Sequence, residues 1–207
     1  MPKGSAELIA ARRDEIVEAC AELYDNLSFK EITIGAISKK TTFSRPSVYN
    51  YFRTKEEIFL ALLGREYGEW AKDLMELAEN PVSKSEFPSR FAVILGKRRR
   101  MLKLVAMNLY DMEAGSRLEN LVEFKKVYNS SLQAAEKCFK AHFTGAPEER
   151  ARQFIYTLFP FLFGVYPYTE ATEKQKRAMD IAGVRYQPYT VEGLVELLIR
   201  QLTENCR

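Results

Sequence analysis

The sequence predicts an all-α protein, and three observations support that prediction. Apolar residues recur at spacings of three and four along almost the whole chain, which is the helical period. Alternating runs of β-branched residues bounded by turns, which predict strands, are missing. With 207 residues, of which 46% are hydrophobic, the chain has enough apolar side chains to bury a core, so disorder is not expected.

The first two helices are predicted from periodicity and capping. Ile16, Cys20 and Leu23 recur at i, i+4 and i+7 between charged residues, which predicts a helix over 6–25 with one buried face. A short helix is predicted over 33–40, because its first residue is a threonine that can cap a helix N-terminus. A brief turn follows that helix.

Two helix starts then lie only ten residues apart. Ser44 is a good N-cap, and Pro46 is tolerated because backbone N–H groups in the first turn of a helix have no internal partner. These residues predict a third helix over 44–52. Thr54 starts a fourth helix, and Glu57 three residues later completes a T-x-x-E capping box.

The rest of the chain is predicted as long helices separated by connections that contain proline. The stretch NPVSKSEFP, 80–88, has two prolines, two serines and an asparagine, and is the clearest boundary. Further helices are predicted at about 84–113, 117–142, 147–166 and 190–205. Kinks or helix ends are predicted at Pro160, Pro167 and Pro188. The long connection over 169–189 has room for one short helix.

The two helices over 33–40 and 44–52 form a helix-turn-helix, whose second helix fits the major groove of DNA. Val48 and Phe52, at i and i+4, are predicted to point into the core, so the opposite face projects outward. Its hydrogen-bonding groups suit base edges and phosphates. The side chains on that outward face and its flanks are Arg45, Pro46, Ser47, Tyr49, Asn50 and Arg53.

Positive charge is concentrated in the same segment. Between Ser38 and Lys55 there are five basic residues and no acid, whereas the first 37 residues hold seven acids and four bases. The N-terminus of the fourth helix, beside Lys55, favours a phosphate through its free N–H groups and its dipole. A polar surface helix without a partner is the alternative. The preceding helix, the acid-free window and the inward apolar residues favour DNA binding.

The stretch ITIGAISKKTTFSRPSVYNYFRTKEEIFLALL, 32–63, resembles the DNA-binding region of TetR-type (TetR/AcrR) transcriptional regulators. The resemblance covers about residues 8–65, and its core S-x-x-S-V-Y-x-Y-F-x-T-K-E-E is specific. The resemblance implies that Thr33 starts the second helix and that Lys55 binds phosphate. The recognition-helix residues that the resemblance implies are Arg45, Ser47, Tyr49, Asn50 and Tyr51. The helix start described above adds Ser44 and Pro46 to the candidate DNA-binding residues.

One position departs from that family's pattern. The turn usually has glycine where this chain has Thr42. A threonine there would be strained if its φ were positive.

The predicted fold is therefore an N-terminal three-helix helix-turn-helix domain and a larger C-terminal helical domain, with about nine helices in all. The DNA-binding domain is predicted over 1–54, with its motif at 33–52. The C-terminal domain is predicted over 55–207, and the helix at 55–78 connects the two. The family resemblance implies that the C-terminal domain binds a ligand between its middle helices and forms a homodimer through its last long helices.

The C-terminal sequence contains apolar and aromatic residues suited to both dimerisation and ligand binding. The stretch FIYTLFPFLFGVYPY, 154–168, holds seven aromatic residues and needs cover from the core or from a second subunit. With the closing helix it could form an intersubunit four-helix bundle from about 147–166 and 190–205. Core packing is the alternative for each side chain. A ligand cavity would be lined by Tyr67, Trp70, Phe91, Leu95, Asn108, Tyr110, Phe124, Tyr128, Tyr156 and Phe163.

Two other features have ordinary explanations. The basic run KRRRMLK, 97–103, spreads around a helix and predicts a solvated, partly salt-bridged surface. His142 lies at a helix end, where interaction with the helix dipole explains it. No GxSxG, HExxH, GxGxxG or P-loop motif accompanies it, so the sequence predicts no enzyme and no cofactor.

Composition limits the cellular setting. The net charge of +3 is too small for general coating of nucleic acid. Cys20, Cys138 and Cys206 are odd in number and in no CxxC pair, which argues against a disulfide scaffold and a metal site. No run approaches 18 apolar residues and no signal-peptide pattern is present, so a cytoplasmic bacterial protein, at the nucleoid through operator binding, is expected.

The sequence is thus interpreted as a ligand-responsive DNA-binding transcriptional regulator. The expected form is a homodimeric repressor on a near-palindromic operator, released by a small, substantially apolar effector and associated with no membrane. The alternative is an all-α carrier or enzyme that uses the aromatic cavity, with the N-terminal helices as a cap.

Overall fold

A computed structural model describes residues 5–107, 109–204 and 206, and these residues form eleven α-helices and no strand. The predicted all-α fold is confirmed. The helices are α1 Ala6–Asn26, α2 Ile34–Ser38, α3 Arg45–Val48, α4 Lys55–Glu79, α5 Phe87–Gly96, α6 Arg99–Val105, α7 Leu109–Ala114, α8 Leu118–His142, α9 Glu148–Thr169, α10 Glu173–Ile181 and α11 Val191–Thr203. None of the described helices combines the length and hydropathy that a membrane span needs.

The described residues form two compact units. Unit 1 takes its residues from 1–66 and 108–128, and unit 2 takes its residues from 67–107 and 129–207. Helices α4 and α8 each contribute residues to both units. This spatial division lies inside α4, whereas the sequence places the domain boundary after residue 54.

The recognition segment, residues 44–52, contains less regular helix than the sequence predicts. Helix α3 covers four residues, because the chain tightens after Val48 into turn hydrogen bonds. Asn50 N–H donates to Ser47 O at 3.1 Å, and Tyr51 N–H donates to Val48 O at 2.9 Å. The turn before α3 is six residues long rather than three, because α2 ends at Ser38.

The single helix predicted over 84–113 is three helices, α5, α6 and α7, which accounts for the two helices beyond the expected nine. Helix α5 ends at Gly96, where α11 passes closely: a Cβ on Gly96 would lie 2.1 Å from Glu192 Oε1. Glycine both permits this approach and disfavours continuation of the helix. Asn108, which the sequence places in this helix, is outside the described residues.

Two of the three prolines at which kinks or helix ends are predicted lie within a helix. Pro160 and Pro167 lie inside α9, which continues to Thr169. The following connection contains α10, capped by Thr172 and closed by Gly183 at φ 67°, a left-handed conformation that glycine adopts without strain.

Each unit has its own apolar core. The core of unit 1 brings together α1, α2, α3 and the first turns of α4, with Val48 and Phe52 fully buried as predicted. The core of unit 2 is rich in aromatic rings that meet edge to face or tilted. Its main rings are Trp70, Phe87, Phe91, Phe139, Phe154 and Phe159.

Candidate nucleic-acid interface

Helix α3 presents its polar face to solvent because its apolar residues are fixed in the core of unit 1. Ser44, Arg45, Pro46 and Asn50 are exposed, and Ser47 is half-buried. Tyr49 is 42% exposed. These positions agree with the outward orientation that the sequence predicts, and they place four of the predicted recognition residues on one accessible surface.

Several predicted DNA-binding side chains are held before any DNA is bound. Thr33 caps α2 by accepting a hydrogen bond from Ala36 N–H at 3.1 Å. The hydroxyls of Ser44 and Ser47 lie 3.0 Å apart. The Arg45 guanidinium donates to the Tyr49 hydroxyl at 3.4 Å and lies 6.0 Å from its ring centroid. Such ordering lowers the entropy lost on binding.

Tyr51 is placed differently from the other recognition residues. The side chain is only 5% exposed, and its ring lies 6.2 Å from that of Phe43. Its hydroxyl accepts a hydrogen bond from Arg12 Nη1 at 3.0 Å. Tyr51 therefore supports the recognition segment from inside, because its ring packs inward rather than standing on the exposed face.

Lys55 is also engaged within unit 1. Its ammonium donates to Phe29 O at 2.7 Å and lies 3.9 Å from the centroid of the Phe29 ring. An ammonium has three N–H donors, so two remain for a phosphate. The phosphate contact of Lys55 stays a prediction, now with a second, structural role beside it.

Thr42 shows how the turn accepts a residue other than glycine. No described non-glycine residue has a positive φ, so the threonine is not in the left-handed region. Its backbone N–H instead donates to Glu15 Oε1 at 2.6 Å, and Phe43 N–H donates to Thr41 Oγ1 at 3.3 Å. Side chains thus satisfy the backbone of this turn.

Two arginines of α1 support the site, a role that the sequence pattern does not predict. Arg13 donates to Tyr51 O at 3.4 Å, and its guanidinium lies 4.5 Å from the centroid of the Phe52 ring. Arg12 holds the Tyr51 hydroxyl. The charged residues between the apolar positions of α1 predict a solvated face, because contacts with residues about forty positions away leave no local pattern in the sequence.

A buried ion pair fixes the start of α4. Glu57 is 1% exposed, and its carboxylate accepts from Arg117 Nε at 2.6 Å, from Arg117 Nη2 at 2.9 Å and from Arg53 N–H at 2.7 Å. The predicted capping box is therefore only half formed: Thr54 Oγ1 accepts from Glu57 N–H at 3.2 Å, but the carboxylate bonds elsewhere.

The protonation of Glu57 follows from these contacts. Burial of the carboxyl would raise its pKa, but hydrogen bonds from Arg117 and from two backbone N–H groups, with the guanidinium charge, outweigh that effect. The pKa of Glu57 is lowered to about 2 from its usual 4.5. Glu57 is therefore ionised at neutral pH and holds the turn between α3 and α4 to the first turn of α8.

The basic run at 97–103 has the partly salt-bridged character that its sequence predicts. Arg98 donates to Asp73 Oδ2 through Nε at 2.8 Å and to Glu69 O at 3.1 Å. Arg99 pairs with Glu170 at 2.5 Å. Both arginines are therefore paired with residues of unit 2.

The predicted ligand-pocket residues are divided between the two units. Tyr67, Trp70, Phe91 and Leu95 are buried in unit 2, where Trp70 lies 6.3 Å from Tyr67 and 6.4 Å from Phe91 between ring centroids. Phe124 and Tyr128 belong to unit 1 and lie 6.2 Å apart.

The remaining predicted pocket residues are exposed or lie outside the described residues. Tyr110, Tyr156 and Phe163 are 85%, 75% and 39% exposed, so none of the three belongs to the buried core of the chain. Helical periodicity identified them as apolar but did not tell an inward face from an outward one. Asn108 lies outside the described residues.

Two family models match the chain. The model described as "Bacterial regulatory proteins, tetR family" matches residues 16–62, and the model described as "Tetracyclin repressor-like, C-terminal domain" matches residues 64–203. The second match alone covers more than half of the chain. The chain belongs to the TetR family.

Similar proteins agree with membership of the TetR family. An HTH-type transcriptional repressor of Mycobacterium tuberculosis is 29% identical over 62 residues, which span 30% of this chain and about one third of the relative. A TetR-family structure from Mesorhizobium loti aligns with a TM-score of 0.62 at 14% identity, covering 95% of this chain and 96% of that one.

Two fatty-acid regulators share the TetR fold of this chain. The fatty acid degradation regulator FadR from Bacillus halodurans aligns with a TM-score of 0.59 at 14% identity, covering 98% of this chain and 96% of that one. FadR from Bacillus subtilis, solved with stearoyl-CoA, aligns with a TM-score of 0.58 at 13% identity, covering 94% and 99%. Identities this low show a common fold, and the chain is a TetR-family transcriptional regulator with a helix-turn-helix.

Proposed function

We propose that this protein represses transcription as a homodimer on a near-palindromic operator in the bacterial cytoplasm. The observation that carries the proposal is the polar face of α3, exposed while Val48 and Phe52 anchor the same segment in the core. Two such helices entering successive major grooves would lie about 34–36 Å apart.

The predicted DNA-binding residues in and around α3 divide into two roles. Arg45 and Asn50 have the side chains that read base edges, since arginine can bond guanine and asparagine can bond adenine through two atoms. Phosphate contacts fall to hydroxyls and to the ammonium of Lys55 at the start of α4, where the helix N-terminus favours an anion. The residues in this second group are Thr33, Ser44, Ser47, Tyr49 and Lys55.

A selection from random DNA duplexes followed by gel shift tests the proposal. The expected result is enrichment of an inverted repeat whose half-sites are separated by about one helical turn, 10–10.5 base pairs. A carrier or an enzyme would enrich no inverted repeat. Recovery of unrelated duplexes with equal affinity would contradict the proposal.

The homodimer is proposed to form through α9 and α11. Four apolar side chains at i, i+4, i+7 and i+11 make a stripe along the exposed face of α9. A stripe of this kind calls for cover by another subunit. Its members are Tyr156, Pro160, Phe163 and Pro167, and Leu197 of α11 is 51% exposed.

The effector is proposed to enter the aromatic interior of unit 2, with Tyr67, Trp70, Phe91 and Leu95 in its walls. Trp70 Nε1 is buried there without a hydrogen-bond partner among the described residues, so it could donate to a ligand oxygen. The solved FadR–stearoyl-CoA complex, which shares this fold, supports a largely apolar effector.

Fluorescence anisotropy of labelled operator, with and without stearoyl-CoA, tests the effector proposal. An effector that binds one conformation better than another shifts the population between them. A coupling of about 1–3 kcal/mol would weaken operator binding about 5–150-fold. Unchanged affinity with stearoyl-CoA and with free fatty acid would contradict a fatty-acyl effector.

A further inference from the structure

Unit 1 contains a pocket of about 210 Å³ between α1, α4 and α8. The pocket belongs to the unit that carries the helix-turn-helix, whereas the proposed effector is placed in unit 2. Its apolar walls are formed by Val17, Phe52, Leu60, Phe124 and Val127. One wall is therefore the same phenylalanine that anchors the recognition segment.

Asn120 lines the pocket and has a side-chain donor that the described part of the chain leaves unsatisfied. Asn120 Nδ2 is buried without a hydrogen-bond acceptor among the described residues, while Asn120 Oδ1 accepts from Arg13 Nη2 at 3.5 Å. A buried donor left unsatisfied costs free energy. An acceptor atom on a bound molecule would remove that cost.

Apart from the exposed Asp14, the charged side chains that line the pocket are already paired. Arg13 Nη2 lies 3.2 Å from Glu123 Oε2, and Arg65 Nη1 lies 2.7 Å from Glu18 Oε2. Glu57 is held by Arg117, as described above. A charged ligand would have to compete with these pairs, so the pocket favours an uncharged molecule.

The size of the pocket sets the size of that molecule. An apolar cavity of about 150 Å³ is large enough for benzene. Gly64 of α4 contributes no side chain to the wall, and a Cβ built there would lie 3.7 Å from Phe124 Cδ2, at ordinary contact distance. The glycine thus lets α4 lie close to Phe124, and a side chain larger than a methyl group at position 64 would have to extend into the pocket beside that ring.

We propose that unit 1 binds a small, uncharged aromatic molecule with one hydrogen-bond acceptor. The aromatic ring of this molecule packs against Phe124 and Phe52. Its acceptor atom accepts a hydrogen bond from the side-chain N–H of Asn120. The occupant contacts α1, α4 and α8 at once, so it stiffens the support of the recognition segment. This site would act on the regulator separately from the effector proposed for unit 2.

Titration of the full chain with benzamide, followed by ligand-observed NMR, tests the site. Benzamide carries an aromatic ring and a carbonyl acceptor and is neutral. We expect saturable binding, with benzoate and benzylamine of the same size binding more weakly. Absence of saturable binding, or equal binding of all three compounds, would overturn the proposal.

Two substitutions of Gly64 locate the binding. Gly64→Leu fills the space beside Phe124 and is expected to abolish benzamide binding, whereas Gly64→Ala adds one carbon and is expected to retain it. Benzamide that still binds the leucine variant would be bound elsewhere, and the proposed site would be wrong.

A second variant keeps the test decisive if Gly64→Leu fails to fold by circular dichroism. Asn120→Leu removes the donor and is expected to weaken benzamide binding about fivefold, the effect of one hydrogen bond. Unchanged affinity would contradict the assigned role of Asn120. None of these measurements uses DNA, so their failure would leave the proposed function untouched.

Discussion

Glu57 and Arg117 lie sixty residues apart in the sequence and form an ion pair at the start of α4, in which the carboxylate is buried and the guanidinium is partly exposed. Removing one partner of such a pair leaves an uncompensated buried charge. Arg117→Met is therefore expected to lower the free energy of unfolding by about 3 kcal/mol at pH 7. Urea denaturation followed by circular dichroism measures the change.

Arg65→Met is the matched control for that variant. Arg65 pairs with Glu18, whose side chain is 58% exposed, and such surface pairs contribute about 0–1 kcal/mol. Equal destabilisation of the two variants would contradict a special role for the buried pair.

The same pair predicts a dependence of stability on acid. The folded-state pKa of Glu57, about 2, lies below its usual 4.5, so ionised Glu57 stabilises the folded state above pH 4.5. This stabilisation, about 3 kcal/mol from a shift of about two and a half pKa values, is lost as the pH falls from 4.5 through 2.

Denaturation curves at a series of pH values test the acid dependence. Glu57→Gln lacks the titrating group, so its stability should change less than that of the wild type between pH 4.5 and 2. A parallel decrease in the two proteins would show that other groups dominate.

His142 shows that a residue at a helix end can have a specific structural role. Val82 N–H donates to its Nε2 at 3.2 Å, so Nδ1 carries the ring hydrogen and donates it to Cys138 O at 2.7 Å. The ring also packs 4.5 Å from that of Phe87. The dipole explanation from the sequence is therefore incomplete, because His142 bridges α8 to the connection before α5.

Replacement of His142 tests this bridge. His142→Leu leaves Val82 N–H without its acceptor and is expected to destabilise the protein by about 1–3 kcal/mol. Thermal denaturation measures the destabilisation. His142→Gln, which retains an acceptor oxygen, should recover part of the stability, and an equally unstable glutamine variant would argue for ring packing instead.

At the scale of single elements, Lys55 links the start of α4 to the loop after α1 through Phe29. Lys55→Met keeps an unbranched side chain over the Phe29 ring but removes the charge. We expect weaker binding to every duplex and a log–log salt slope smaller by about 0.9 for each phosphate that the variant no longer neutralises. Anisotropy titrations over a range of salt concentrations measure both.

Lys97→Met is the control for Lys55→Met. Lys97 is an exposed residue of the basic run in unit 2, which we assign no contact with DNA. An unchanged salt slope in the Lys55 variant, or an equal change in the Lys97 variant, would contradict the phosphate assignment.

The elements that the sequence predicted well are those whose determinants are local. Helix α1 and helix α8 lie within one residue of their predicted bounds, because periodicity and chain breaks define them. The break between α5 and α6 lies at Gly96, which Glu192 of α11 approaches closely although it is about a hundred residues later in the chain. No local pattern encodes that approach.

The candidate site divides in the same way. The inward Val48 and Phe52 follow from helical spacing, and so does the exposed face opposite them. The buried position of Tyr51 and the contacts of Arg13 and Arg117 depend on residues distant in sequence, so spacing could not predict them.

For the whole molecule, the apolar stripe on α9 predicts that the chain is dimeric. Phe163→Glu places a charge in the centre of the stripe, where burial against a second copy would be costly. Light scattering coupled to gel filtration should show a monomer. Ile181→Glu, at an 80% exposed residue of α10 outside the stripe, should leave the dimer intact.

A dimer of the Phe163 variant, or dissociation of the dimer in the Ile181 variant, would place the interface elsewhere. Because a monomer holds only one recognition helix, the Phe163 variant is also expected to lose affinity for a two-half-site operator while retaining weak binding to a single half-site.

The most direct test of the account compares the base preferences of the wild type and Asn50→Ala in the same selection from random duplexes. If the exposed face of α3 reads the major groove, the alanine variant should lose its preference at one position in each half-site, with preferences elsewhere unchanged. An identical set of selected sequences from both proteins would contradict the assignment of α3 as the reading element.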